Sequence, residues 1–374
     1  MRINLIITIG FLLFLLNKSV AQIAYPRLIT LLPALINEAS GIEFNGYNSL
    51  WIHNDSGDKP RIYKTDTLGN LLRTFSFENT QAIDFEDMTQ DEKGNFYVGD
   101  FGNNYSDRTN LHILKFKNPD SVLLDSIIPE VISFSYSDQF AYPPAADKMN
   151  FDCEALIHHN DSLLIFSKNH GLSKYVRVYK LPDVAGNYIV SPVDSFYTDQ
   201  WVTGADISPD KKTLVLLSDS VLWIFRNFSS KSFFDGTCTK LKLPNTQKEG
   251  VVFVNDHAIF IVDEKEALSL DGQKLYILDL AMWLGVNENL MRGSYSIFPN
   301  PSAGGDATLK LDLVNNENIE IRVLNLLGET ISVNNVDMKR GSNDFKLAIL
   351  SDGIYLVQIT YRSGSSTLKY FVKR

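Results

Sequence analysis

The feature that most limits the fold is a loose recurrence of short strands through residues 22–284. Units follow one another at intervals of roughly 45 to 70 residues, a spacing suited to repeats that stack side by side. Each begins with a short strand and continues into strands of alternating β-branched and aromatic residues. The second strands fall at 49–53, 95–98, 163–166, 213–217 and 258–262, and the third at 61–63, 111–116, 176–179, 221–225 and 274–278. Pro and Gly set the bends between them, as in Ser208-Pro209-Asp210 and Asp91-Glu92-Lys93-Gly94. Sustained helical periodicity is absent. The pattern predicts an all-β chain, a five-bladed β-propeller followed by a small C-terminal β-sandwich. Six blades is the alternative, should residues 111–149 hide one. The fifth unit shows only three strands, and residues 27–32 are expected to supply its outer edge, since an open ring leaves bare strand edges in solvent.

The first strands carry the chemistry. Aligned on an apolar residue they read Glu38-Ala39-Ser40-Gly41-Ile42, Asp84-Phe85-Glu86-Asp87-Met88, Asp152-Cys153-Glu154-Ala155-Leu156, Thr203-Gly204-Ala205-Asp206-Ile207 and Gln247-Lys248-Glu249-Gly250-Val251. Glu86, Glu154 and Glu249 stand two places before the apolar residue, and Glu38, Asp84 and Asp152 stand four places before it. Alternation along a strand points both positions the same way, towards the channel if these strands are innermost. The second strands end in Asp55, Asp100 with Asn103, Lys168-Asn169, Asp219 and Glu264. Antiparallel pairing brings those ends to the same rim, and Asp206 is expected there too. Carboxylates crowded in one concave place repel unless a cation or protons offset them. Carboxylate, amide and carbonyl oxygens are calcium's ligands. The metal candidates are therefore Glu38, Asp84, Glu86, Asp152, Glu154 and Glu249, with Asp55, Asp100, Asn103, Lys168, Asn169, Asp206 and Glu264 as ligand-binding residues. A wet acidic channel without a fixed occupant, or with a purely structural ion, is the competing reading.

Other constellations are excluded or read as structural. The chain has no Gly-x-Ser-x-Gly elbow, no His-Glu-x-x-His pair and no phosphate-cradling Gly-rich loop ending in Gly-Lys-Ser/Thr. A formal charge of −9 argues against nucleic acid as a partner. His158-His159 reads as a solvated hairpin bend, and residues 54–58 as a strand-capping turn rather than a calcium loop. Trp51, Tyr97 and Trp223 read as packing between blades. Cys153 and Cys238 read as small buried hydrophobes rather than a disulfide pair.

The two ends address the chain. Met1-Arg2, an apolar run from Leu5 to Leu16 and Ser19-Val20-Ala21 predict a signal peptide over 1–21. Residues 285–294 predict a linker. The remainder, 295–374, opens on Pro299-Asn300-Pro301, turns at Leu326-Leu327-Gly328, includes Gly353-Ile354-Tyr355 and ends on Lys373-Arg374. Gly328 and Gly353 are expected at bends that need positive φ. These motifs resemble the type A C-terminal sorting domain of the Bacteroidetes type IX secretion system. The resemblance implies export through the periplasm to the outside, recognition by the type IX machinery and, often, attachment to surface lipopolysaccharide. Within the repeats, the Asp-x-Glu-Ala/Gly starts, Thr203-Gly204-Ala205-Asp206-Ile207-Ser208-Pro209-Asp210 and Tyr97-Val98-Gly99-Asp100-Phe101-Gly102-Asn103-Asn104 resemble the phytase-like and SdiA-regulated secreted propellers. That resemblance implies an ion-stabilised propeller or a metal-assisted phosphoesterase. In the latter, basic residues would bind phosphate beside calcium; Lys168 is the basic residue at the mouth, with Lys248 and Lys265 as further candidates.

Three functions follow as expectations: binding of a small-molecule or protein ligand at a calcium-holding mouth, calcium-dependent ester or phosphoester hydrolysis, and a surface interaction scaffold without small-molecule chemistry.

Overall fold

A computed structural model describes residues 22–46, 49–168, 170, 173–265, 273–281, 283–284, 295–303, 306–313, 316–326, 328–348, 350–361 and 364–373. The expected signal peptide, the linker 285–294, Leu327 and Asn169 lie outside the described residues. The chain divides into two compact units between Leu280 and Ala281.

The first unit is built of five sheets, each with four antiparallel main strands. From the inside outwards, blade 1 contains Ala39–Phe44, Ser49–Asn54, Arg61–Asp66 and Leu71–Phe77. Blade 2 contains Phe85–Gln90, Asn95–Asp100, His112–Lys117 and Glu130–Tyr136, and blade 3 contains Cys153–His158, Ser162–Ser167, Tyr175–Pro182 and Pro192–Tyr197. Blade 4 contains Gly204–Ile207, Thr213–Leu217, Val221–Arg226 and Thr237–Lys242. Blade 5 takes Lys248–Asn255, Ala258–Asp263 and Lys274–Asp279 from one end of the unit and its outer strand, Arg27–Leu31, from the other. Each innermost strand lies against the next, and that of blade 5 lies against that of blade 1. The ring is closed with five blades. Residues 112–117 and 130–136 complete blade 2, so no sixth blade arises among the described residues. Outer edges are partly covered by short parallel strands: Gln22–Ile23 on blade 4, Ser126–Ile127 on blade 1 and Gly186–Val190 on blade 2.

The second strands are buried on both faces because another blade packs on either side; Leu50, Trp51 and Ile52 in succession are inaccessible. Trp51, Phe75 and Phe77 of blade 1 pack on Phe85, Phe96 and Phe116 of blade 2. Tyr97 joins the core shared with blade 3, and Trp223 the core between blades 3 and 4. All three aromatics are inter-blade packing, as the pattern predicts. Cys153 is buried and Cys238 exposed on the outermost strand of blade 4, and both are free thiols. The expectation of two buried cysteines therefore fails for Cys238.

The second unit contains a three-stranded sheet, Tyr295–Phe298, Thr308–Leu313 and Gly341–Lys346, and a four-stranded sheet ordered Thr330–Met338, Glu317–Asn325, Gly353–Tyr361 and Gly364–Val372. Leu309, Leu311, Ile319, Ile321, Val323, Val357 and Ile359 alternate into one core between them. Gly328 takes φ +81°, as its turn requires, whereas Gly353 opens a strand without positive φ.

Candidate metal centre

Four of the five innermost strands slip register against their neighbour at the same place: between Ala39 and Ile42, Phe85 and Met88, Cys153 and Ala155, and Lys248 and Gly250. Glu86, Glu154 and Glu249 sit within these irregularities. A bulge breaks the simple alternation and re-aims the side chain, so the carboxylates reach the channel mouth by a local device the alternation rule did not contain.

Two groups of three result. One oxygen each of Asp55, Asp84 and Glu86 lie within 4.8 Å of one another, and the same holds for Glu86, Asp152 and Glu154. Glu86 is common to both. Asp55 ends the second strand of blade 1 and the others come from blades 2 and 3, so residues about a hundred positions apart converge. Asp55 Oδ1 and Asp152 Oδ2 are buried without a hydrogen-bond donor in range, and His170 Nδ1 stands 3.4 Å from the latter. Gly102 makes the crowding feasible, since a Cβ there would overlap Glu86 Oε1 and the Asp84 carboxylate.

The cost of this crowding registers in the acids. Burial, then repulsion from Asp84, Glu154 and Glu264, pushes Asp55 up to about 9. Burial and the carboxylates around it hold Glu86 well above the ordinary range, and Glu249 likewise beside Glu154 and Glu264. Asp84 is raised by burial and Asp152. Glu154 reaches only about 7, because Lys168 Nζ donates to its Oε1 at 2.6 Å and counters burial. Lys168 also lies 5.7 Å from the half-exposed ring of Trp201, which packs on His170. Burial, then repulsion from Glu38, pushes Glu264 up to about 7, and it accepts from the Gln247 side chain at 3.0 Å. Glu38 thus stands on the Glu264 side of the rim, outside both groups of three.

Other expected site residues serve elsewhere. Asp100 is wholly buried and occupied by the amides of Ile83 and Asp84 and by Arg108 at 2.7 Å. Asn103 donates its amide to Asp152 Oδ1 at 2.6 Å and its side chain to Phe151, and accepts from the amides of Asp107 and Arg108. Both brace the site from behind. Asp206 is not at this rim: it lines a cavity of about 320 Å³ with Glu43, Glu92 and Lys211 and accepts the amides of Ile207 and Phe253. Lys248 is buried, donating to Asp219 and Pro244 carbonyls and to Thr246, 3.9 Å from Asp263. The structure also adds Arg108, His170, Trp201 and Gly102, which the strand alignment could not reach because they lie in connecting loops. His158 is not a solvated bend: it is 1% exposed at the end of its strand.

Residues 296–373 match the family model described as the secretion system C-terminal sorting domain. The C-terminal unit is a type IX sorting domain. The chain that carries it is exported through the periplasm to the cell surface or beyond, and the sorting domain is its point of engagement with the type IX machinery. Comparison with curated proteins finds no match. Among solved structures, one described as a gluconolactonase shares 10% identity, covering 65% of this chain and 74% of that one at a TM-score of 0.39. A protein from Lactobacillus plantarum shares 14% identity over 85% and 90% of the two chains at a TM-score of 0.32. Likeness at this level says nothing of activity.

Proposed function

We propose that the propeller is an exported binding module that holds calcium at its acidic mouth and takes a small-molecule or protein ligand there. The observation that supports this most is the pair of carboxylate groups sharing Glu86, with Asp55 Oδ1 and Asp152 Oδ2 buried and lacking donors. Such oxygens gain most from a hard cation. Asp55, Asp84, Glu86, Asp152 and Glu154 would hold it. Bound calcium would offset their repulsion and offer open coordination positions to ligand oxygens. Lys168 limits the charge by pairing with Glu154, and Asp100 and Asn103 fix the backbone behind the acids. Calorimetric titration with calcium is expected to show binding that a Glu86→Gln/Glu154→Gln variant loses; binding unchanged in that variant would remove the assignment.

A hydrolytic reading draws on Lys168, a cation beside the acidic groups that suits a phosphoester. Phosphomonoester and ester assays with and without calcium separate it from binding alone. From the sorting domain we further propose retention on surface lipopolysaccharide after export, checked by a mass shift of the surface-extracted chain.

A further inference from the structure

We propose that the ligand of the calcium-holding mouth, a reading on which this rests, is a neutral sugar that stacks on Trp201 and places adjacent hydroxyls on the metal. Among the described tryptophans, Trp51 and Trp223 are buried, whereas Trp201 is 51% exposed. It stands in the loop that leads into the innermost strand of blade 4, Gly204–Ile207. The two side chains packed on its ring both reach the metal candidates. Lys168 Nζ lies 5.7 Å from the indole and donates to Glu154 Oε1. The His170 ring lies 5.2 Å from the indole, and its Nδ1 stands 3.4 Å from Asp152 Oδ2. The loop is tied down as well, because the Val202 amide donates to the Lys168 carbonyl at 3.1 Å. An exposed indole held this firmly costs little further ordering when a ligand settles on it.

The polar lining decides between ligand classes. Beyond the two groups of three, Glu249 and Glu264 continue the acidic rim, and Lys168 lies within electrostatic reach of both. Ionised carboxylates only accept hydrogen bonds, so such a lining calls for a ligand rich in donors. A phosphomonoester brings a charge of about −1.5 to −2 and further acceptors, and the surrounding acids repel it. A carboxylate ligand repeats the fault at lower charge. An ammonium donates but has no lone pair for calcium. A sugar hydroxyl does both, donating its proton to a carboxylate while its oxygen ligates the ion. Two adjacent hydroxyls then fill open coordination positions, a third reaches Glu249 or Glu264, and Lys168 donates to a sugar oxygen. The apolar face of the sugar ring covers the indole. Asp152, wholly buried with its Oδ2 lacking a donor, marks where the ion sits beneath the ligand.

The test is calorimetric titration of the calcium-loaded secreted chain with mannose, fucose, galactose and glucose, beside galacturonate and glucose 6-phosphate. The expected result is binding of at least one neutral sugar, lost in chelator, with a shift in tryptophan emission. Trp201→Ala should weaken that binding by about tenfold, and Trp201→Phe should restore most of it. Absence of neutral-sugar binding, tighter binding of either anion than of any neutral sugar, or affinity untouched by Trp201→Ala would overturn the proposal. A separate calcium isotherm on the parent chain keeps the two readings apart. A missing isotherm removes the calcium site and the sugar with it, whereas calcium binding without sugar binding removes the sugar alone.

Discussion

Asp55 and Asp58 lie three residues apart in one loop, yet their carboxyls meet opposite fates. Asp58 is held below the usual carboxylate range: burial works against it, but the Arg61 guanidinium at 2.7 Å, the Tyr63 hydroxyl at 2.6 Å, the Asn54 side chain and the Lys59 amide all donate to it. It is the residue that caps the strand, which leaves Asp55 for the mouth. Asp58→Ala should cost about 2–3 kcal/mol of stability in urea unfolding, because it strips a charged acceptor from several donors. The acids at the channel ends give a pH signature of the other sign. Glu154, Glu264 and Asp206 are pushed up to about 7, largely by burial. A carboxyl with a raised folded-state pKa contributes its stability in full below the unfolded value near 4 and loses it as pH rises through the folded value. The chelated protein should therefore melt at a lower temperature at pH 8 than at pH 5.5; a higher midpoint at pH 8 would contradict the crowding. Gly102→Ala should weaken calcium binding by about tenfold or more, by pushing Glu86 and Asp84 apart, as calorimetry would read.

At the scale of the strand, much of the molecule was legible because blade strands are buried on both faces and read as unbroken β-branched and aromatic runs. The closing strand was legible as an orphan that the fifth blade lacked. Deleting residues 22–31 should lower the urea midpoint and promote aggregation, since it exposes the edge of Lys274–Asp279; an unchanged midpoint would deny the ring its clasp. What alternation could not convey was the bulge in four innermost strands, which turns Glu86, Glu154 and Glu249 inward. Gly204–Ile207 pairs in plain register without one. Asp206 stands one place, not two, before its apolar residue, and one place reverses the face. Asp87 shares that offset, and both acids accept an amide from the next blade's innermost strand, Leu156 and Phe253 respectively. That parity was the overlooked signal. Arg108 beside Asp100 and Asn103, and Asp183 beside His158, come from loops that leave no periodic trace, so neither neighbour is legible in the sequence.

For the whole molecule, the C-terminal unit carries the address, and the acidic groups of the proposed site lie in the propeller. Removing residues 295–374 should leave the propeller folded and trapped in the periplasm, which fractionation would reveal. The propeller's own claim is that acids from three blades share a cation around one axial mouth. The direct measurement is the thermal midpoint of the secreted chain at pH 7.5 in chelator and in millimolar calcium. Binding to the native state alone must raise it, by an amount growing with calcium concentration, and the rise must vanish in Glu86→Gln/Glu154→Gln. A midpoint indifferent to calcium, or one that rises equally in that variant, would contradict the account.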